Sequence, residues 1–177
     1  MRITVDRKSG GLRVRMRFEQ QRNRWLAVRI MLGILAFQGA VVGLWAVLAP
    51  HSWYTSFPGF GMQWISADGP YNHHLASDVG SFFLALTAVT LAALFLGGSA
   101  LAQVAGLGWL VFGLPHLIYH AFHKPADMGG ASFTVSVIGA ALIVALGLAL
   151  ILVTPRGPQL RDPAPITFQR PRRRTNR

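Results

Sequence analysis

The 177-residue chain is 52% hydrophobic and only 13% charged, yet its formal net charge is +11 and it has six His and no Cys. That balance does not suit a soluble domain and points to the membrane. The missing cysteine excludes disulfides, thiolate metal sites and cysteine nucleophiles.

Residues 1–24 form a basic tail, with seven Arg and Lys8 against Asp6 and Glu19, a balance of +6. Within it Leu12, Val14, Met16 and Phe18 alternate with Arg13, Arg15 and Arg17. Such a segment suits the anionic inner leaflet, where each charge contributes on the order of 1 kcal/mol. The first apolar run, 25–49, is interrupted only by Arg29 and Gln38. Arg29 can snorkel to the nearer face, and Gln38, near mid-span, is suited to a hydrogen bond across helices. Val47-Leu48-Ala49 has the form of a signal cleavage site, but the run exceeds a signal h-region and Pro50 would follow the cut. The first helix is therefore expected to stay attached.

A loop over 50–71 follows, and no Arg or Lys occurs between Pro50 and Ser77. Its Trp53, Tyr54, Phe57, Phe60 and Trp64 suit an aromatic belt among outer headgroups or a lid over the mouth of a bundle. Asn72 reads as the N-cap of a second span, 72–96. The connection Gly97-Gly98-Ser99 is so short that the second and third spans must pack side by side as a hairpin. The third span covers 100–121 and the fourth 131–153. Residues 154–177 carry seven Arg against Asp162, again +6, and are rich enough in Pro and Arg to be disordered.

Each run is close to the roughly 20 residues that cross a ~30 Å hydrocarbon layer, and none alternates like a barrel strand. The expected fold is all-α: an antiparallel four-helix transmembrane bundle in the cell's inner membrane, with both basic termini cytoplasmic by the positive-inside rule. Small residues at helical spacing, such as Gly39 and Gly43 in the first span and Ala102 and Gly106 in the third, favour close helix packing. Fifteen Arg against two Lys, with an apolar part dominated by Ala, Gly, Val and Leu, points to a GC-rich bacterial genome.

In this topology every histidine falls toward the outer side. His116, His120 and His123 share one stripe of the third helix, since four- and seven-residue steps return to within about 40° of the starting direction. His74 and Asp78, four apart at the head of the second helix, share another. Ionisable groups beside a span are rare unless paired or functional, and the hairpin would bring the two sets to equal height. His74, Asp78, His116 and His120 are thus the candidate metal ligands, with His73 and His123 as alternates or supporting groups. Imidazole and carboxylate suit copper, zinc or iron. A haem between facing histidines would need a wider cavity, which Phe82, Phe83 and Trp109 could line or fill. Pro115 cannot donate to Val111, so a kink opening space beside His116 is expected.

The plainer alternative is structural: Asp78 hydrogen-bonded to His116 or His120, pinning the hairpin. Three functions follow from these readings: a structural or accessory membrane protein without enzymatic activity; a metal-binding or redox protein; and a small proton-linked transport component, which an oligomer would serve better than one protomer. Partners are the lipid bilayer, anionic inner-leaflet lipids met by the Arg-rich tails, and a second copy or another membrane protein; nucleic acid is not expected, because topology already explains the charge. No nucleophile-base pair, phosphate-cradling loop or dinucleotide motif is visible.

The stretches "DGPYNHHLASDVGSFFLAL" and "GWLVFGLPHLIYHAFH" resemble small four-helix bacterial membrane proteins, loosely of the DoxX-like families. The resemblance covers about residues 25–153 and is most specific at Asp78-x-Gly80 and at the Pro-His and Tyr-His pairs of the third span. It implies a four-helix inner-membrane fold and carries over no catalytic residue.

Overall fold

The computed structural model describes residues 2–8, 11–19, 21–156, 160–161 and 166–169. In chain order the elements are β1 (Arg2–Lys8), β2 (Gly11–Glu19), α1 (Arg22–Leu48), α2 (Pro50–Ser56), β3 (Pro58–Gly59), β4 (Met62–Gln63), α3 (His73–Leu96), α4 (Ser99–Phe122), α5 (Gly130–Val153), β5 (Leu160–Arg161) and β6 (Ile166–Gln169). The helices α1, α3, α4 and α5 are each long and apolar enough to cross a membrane, as in a multi-pass membrane protein.

The two faces of α1 show which solvent this bundle fits. Trp25, Val28, Leu32, Leu35 and Val42 are buried, whereas Leu26, Ile30, Ile34, Phe37, Val41, Leu44 and Leu48 are exposed at the same helical spacing. A helix on the surface of a soluble protein would carry polar residues on the second stripe. Here both are hydrocarbon, which lipid solvates and water does not.

Local chemistry fixes the helix ends. Asn72 caps α3, its side-chain oxygen accepting from the Leu75 amide at 3.0 Å. The chain leaves α3 through Gly97 and Gly98, both at positive φ (73° and 99°), so a reversal fits between Leu96 and Ser99. Side chains with a Cβ rarely adopt that backbone twice in succession. Helix α4 runs from Ser99 to Phe122 with Pro115 inside it.

In lipid, apolar side chains gain little by leaving the solvent, so helices associate through close packing. Glycine provides it at two crossings. A Cβ on Gly43 of α1 would lie 3.0 Å from the Gly80 carbonyl oxygen of α3, and one on Gly80 would lie 2.9 Å from the Gly43 oxygen. Gly106 of α4 and Gly147 of α5 stand in the same reciprocal relation, at 2.8 and 2.9 Å. The backbones of α1 and α3, and of α4 and α5, therefore touch.

Trp109 joins the two pairs. Fully buried, it donates its Nε1 to Thr90 Oγ1 of α3 at 2.8 Å, and its six-membered ring lies about 3 Å from where a Cβ on Gly39 of α1 would stand. At the end of the bundle that carries both tails, Arg24 Nε donates to the Val153 carbonyl (3.0 Å), Gln103 Nε2 to Ile151 (3.4 Å) and the Ser99 hydroxyl to Pro155 (2.5 Å). The first two donors satisfy carbonyls that the end of α5 leaves without helical partners, and the third holds the chain just beyond it. Gln103 thus makes the cross-helix bond that the sequence favoured for Gln38.

The tails pair as strands. β1 and β2 form an antiparallel hairpin, and β2 also pairs with β5 and β6. The alternation at 12–18, expected to lie along lipid, falls on β2, where period two belongs. The C-terminal segment expected to be disordered contributes Leu160–Arg161 and Ile166–Gln169 to this sheet. Residues 157–159, 162–165 and 170–177 lie outside the described residues.

The glycine crossings predict that Gly80→Val and Gly147→Val each lose about 1–3 kcal/mol, the usual cost of overpacking. Gly33→Ala, where a Cβ would meet nothing within 4 Å, should leave thermal denaturation in detergent unchanged. Equal melting of all three variants would contradict the crossings.

Candidate functional site

Opposite the tail end, the two helix pairs enclose a cavity of about 930 Å³. Its walls come from Leu35, Gln38 and Val42 of α1, Ala76, Val79 and Phe83 of α3, Phe112, His116 and His120 of α4, and Ser136, Ala140 and Ile143 of α5. Phe83, Phe112 and Trp109 form a ring cluster with centroids 5.0 to 6.1 Å apart. This cluster floors the cavity on the α3–α4 side.

The 49–72 segment roofs it. Trp53, Tyr54, Phe57, Trp64, Ile65 and Asp68 all line the space. Phe57 is the hub, its ring 5.6 to 6.2 Å from those of Trp45, Trp53 and Trp64. A polar tie holds the roof to the bundle, where Trp64 Nε1 donates to Ser132 Oγ of α5 at 2.8 Å, and another closes the roof on itself, where the Tyr54 hydroxyl donates to the Gly69 carbonyl at 2.6 Å. Of the five aromatics named from the sequence, Trp53, Tyr54, Phe57 and Trp64 cover the cavity, whereas Phe60 is 96% exposed.

The histidines of α4 divide into two sets. His116 stacks on Phe112 at 5.2 Å and meets His120 edge to face at 4.6 Å, both imidazoles lining the cavity. His123 instead stacks on Tyr119, and these two reach the roof together. The Tyr119 hydroxyl donates to Asp68 Oδ2 at 2.8 Å, while His123 Nε2 lies 3.2 Å from Asp68 Oδ1. One carboxylate thereby latches the roof segment to α4.

The proposed gathering of His74, Asp78, His116 and His120 is not what the structure contains. His74 Nε2 pairs with Asp78 Oδ2 at 3.3 Å within α3, on side chains 88% and 49% exposed, and neither residue lines the cavity. His73 makes its ring contact with Tyr71. Among the described residues no three of His, Cys, Asp or Glu are arranged to hold a metal ion. The physical reason is rotation about the helix axis: equal height put the two sets level, but Asp78 and His74 lie on a different face of α3 from Ala76, Val79 and Phe83, which meet the cavity. The carboxylate facing α4 is Asp68, which the sequence reading passed over. It is the only acid between Pro50 and Ser77, in a stretch without Arg or Lys, so its partners had to come from elsewhere.

No protein-family model, curated protein or solved structure matches this chain. Function therefore has to be argued from the cavity's own chemistry. Two lining residues matter most: the side-chain oxygen of Gln38 and the indole nitrogen of Trp53 are buried with no hydrogen-bond partner. Native interiors rarely leave such atoms unpaired unless a ligand, water or functional constraint is involved.

Since the latch and the α3 pair differ in what they hold, they should respond differently. Asp68→Ala is expected to speed amide hydrogen exchange across 57–72 in detergent-solubilised protein. His74→Ala and Asp78→Asn, which break an exposed pair, should change stability by no more than about 0.5 kcal/mol. Unchanged exchange in Asp68→Ala would show that the roof is held without the latch.

Proposed function

We propose that this chain is an antiparallel four-helix protein of the bacterial inner membrane, with both termini cytoplasmic, that holds a lipid-soluble small molecule in its lidded cavity. Supporting the topology are the basic tails, +6 at each end, and the cation-free segment between Pro50 and Ser77. The observation that carries the binding reading is the cavity itself, about 930 Å³ and mostly apolar, with Gln38 and Trp53 in its wall each holding a buried polar atom without a partner. Ligand sites generally combine these properties: concave, largely hydrophobic and provided with a few fixed polar groups.

The ligand reaches the cavity from the side. Helices α1 and α5 are joined at the tail end through Arg24 and Val153. Toward the roof, residues from both line the space between them, and Ile34 (50% exposed) and Leu142 (57% exposed) stand on its rim. That gap faces lipid in a bilayer, whereas the route from the aqueous side crosses the roof. Such a protein delivers, stores or senses its ligand and needs no catalytic group.

Purification in lipid nanodiscs followed by mass spectrometry tests this reading. A lipophilic species enriched over the bulk membrane is expected with the native chain, and its loss in Ala140→Trp and Ile143→Trp, checked for retained helicity by circular dichroism. A lipid complement equal to the bulk membrane and unchanged by both filling substitutions would overturn it.

A further inference from the structure

The kind of molecule follows from which polar groups line the cavity and which are already engaged. The inference rests on the binding reading above and concerns the ligand's head. No Lys or Arg is among the lining residues, and the basic groups there are the imidazoles of His116 and His120, which pack on each other and on Phe112 near the roof. The single lining carboxylate, Asp68, already accepts from Tyr119 and faces His123. Asn72 is occupied in capping α3, Tyr54 donates to Gly69, Trp64 to Ser132 and Ser136 to Phe133. Besides the imidazoles of His116 and His120 on the α4 wall, what remains is the buried Gln38 oxygen, an acceptor, and the buried Trp53 nitrogen, a donor, each without a partner.

These two lie at different depths. Gln38 is ten residues before the end of α1, about 15 Å along the helix axis at 1.5 Å per residue, while Trp53 belongs to α2 in the roof. At the level of Gln38 the neighbouring lining residues Leu35, Val42, Phe83 and Phe112 offer no polar atom. A charged head would lose its hydration there without a counter-ion, at a cost far above that of a neutral one. A pure hydrocarbon would leave the Gln38 oxygen unpaired, which itself costs on the order of a hydrogen bond.

We propose that the cavity selects uncharged, oxygen-bearing lipids of the alcohol or phenol class. An O–H of the ligand donates to Gln38 Oε1, and an oxygen nearer the roof accepts from Trp53 Nε1. The lipophilic body fills the remaining space and extends toward the gap between α1 and α5.

Photoactivatable diazirine probes of one chain length test this, bearing a hydroxyl, a carboxylate, an ammonium or no polar head. The full chain in nanodiscs is irradiated with each, and adducts are located by peptide mass spectrometry. The hydroxyl probe should label cavity-lining peptides of α1 and α5 above the other three. Gln38→Leu should reduce that labelling about tenfold, the equivalent of one buried hydrogen bond, and Gln38→Asn should restore part of it. Circular dichroism confirms that both variants keep their helices. If no probe labels the cavity above the lipid-facing residues of α1, the binding reading itself fails. Cavity labelling that is equal with the headless probe, or stronger with a charged one, or unaffected by Gln38→Leu, overturns the head-group assignment and leaves the binding reading standing.

Discussion

Backbone touching backbone at Gly43 and Gly80, and again at Gly106 and Gly147, is the constraint on which the rest of this structure depends. In hydrocarbon there is little reward for hiding a leucine from its surroundings, so helices hold together where atoms approach most closely. Two such contacts make two tight pairs, α1 with α3 and α4 with α5. The space between the pairs is left to larger side chains. Trp109 bridges it at one level, and the hydrogen bond from Arg24 of α1 to Val153 of α5 closes it at the tail end. Toward the other end nothing equivalent fills it, and the opening is roofed by the aromatic segment after α1.

Polarity is arranged along the same axis. Near the roof are Asp68, Tyr119, His120 and His123, most of them engaged with one another. Below them the walls are mostly hydrocarbon, with His116, Ser136 and Gln38 as the polar residues. An amide in such surroundings is weakly screened, which strengthens a hydrogen bond made there and raises the cost of one left unmade. The roof has a small core of its own, in which Trp53 is buried with Ala46 of α1 and Ala76 of α3, and Phe57 packs against both this core and that of the bundle.

Much of the fold was legible in the sequence because lipid imposes a simple rule. A run of about 20 apolar residues has few alternatives to a helix, and four such runs became α1, α3, α4 and α5. The Asn72 cap and the two-glycine reversal at 97–98 were also readable, being local chemistry. The site was legible only in part. Spacing put His116, His120 and His123 on one stripe, of which the first two line the cavity and the third turns to Asp68, and the aromatics of the 50–71 loop were read as a lid or a belt. But height along an axis does not determine rotation about it, so Asp78 was given to α4 when it pairs with His74 on its own helix. Nor did local pattern show that Asp68 would be brought back to Tyr119, 51 residues away. Gln38 was expected to bond across helices, yet it is Gln103 that does so, donating to Ile151, because both look alike as single polar residues in apolar runs.

The most direct test of the central claim, that the gap between the helix pairs is open to lipid, is a collision measurement at position 38. The chain has no native cysteine, so Gln38→Cys accepts a single nitroxide label, with Phe37 (73% exposed) and Leu32 (1% exposed) as comparison sites. In bilayers the label at 38 should collide with dissolved oxygen nearly as often as the one at 37 and rarely with a polar nickel complex. Collision with oxygen as infrequent as at 32 would mean that the helices are packed shut and would contradict the account.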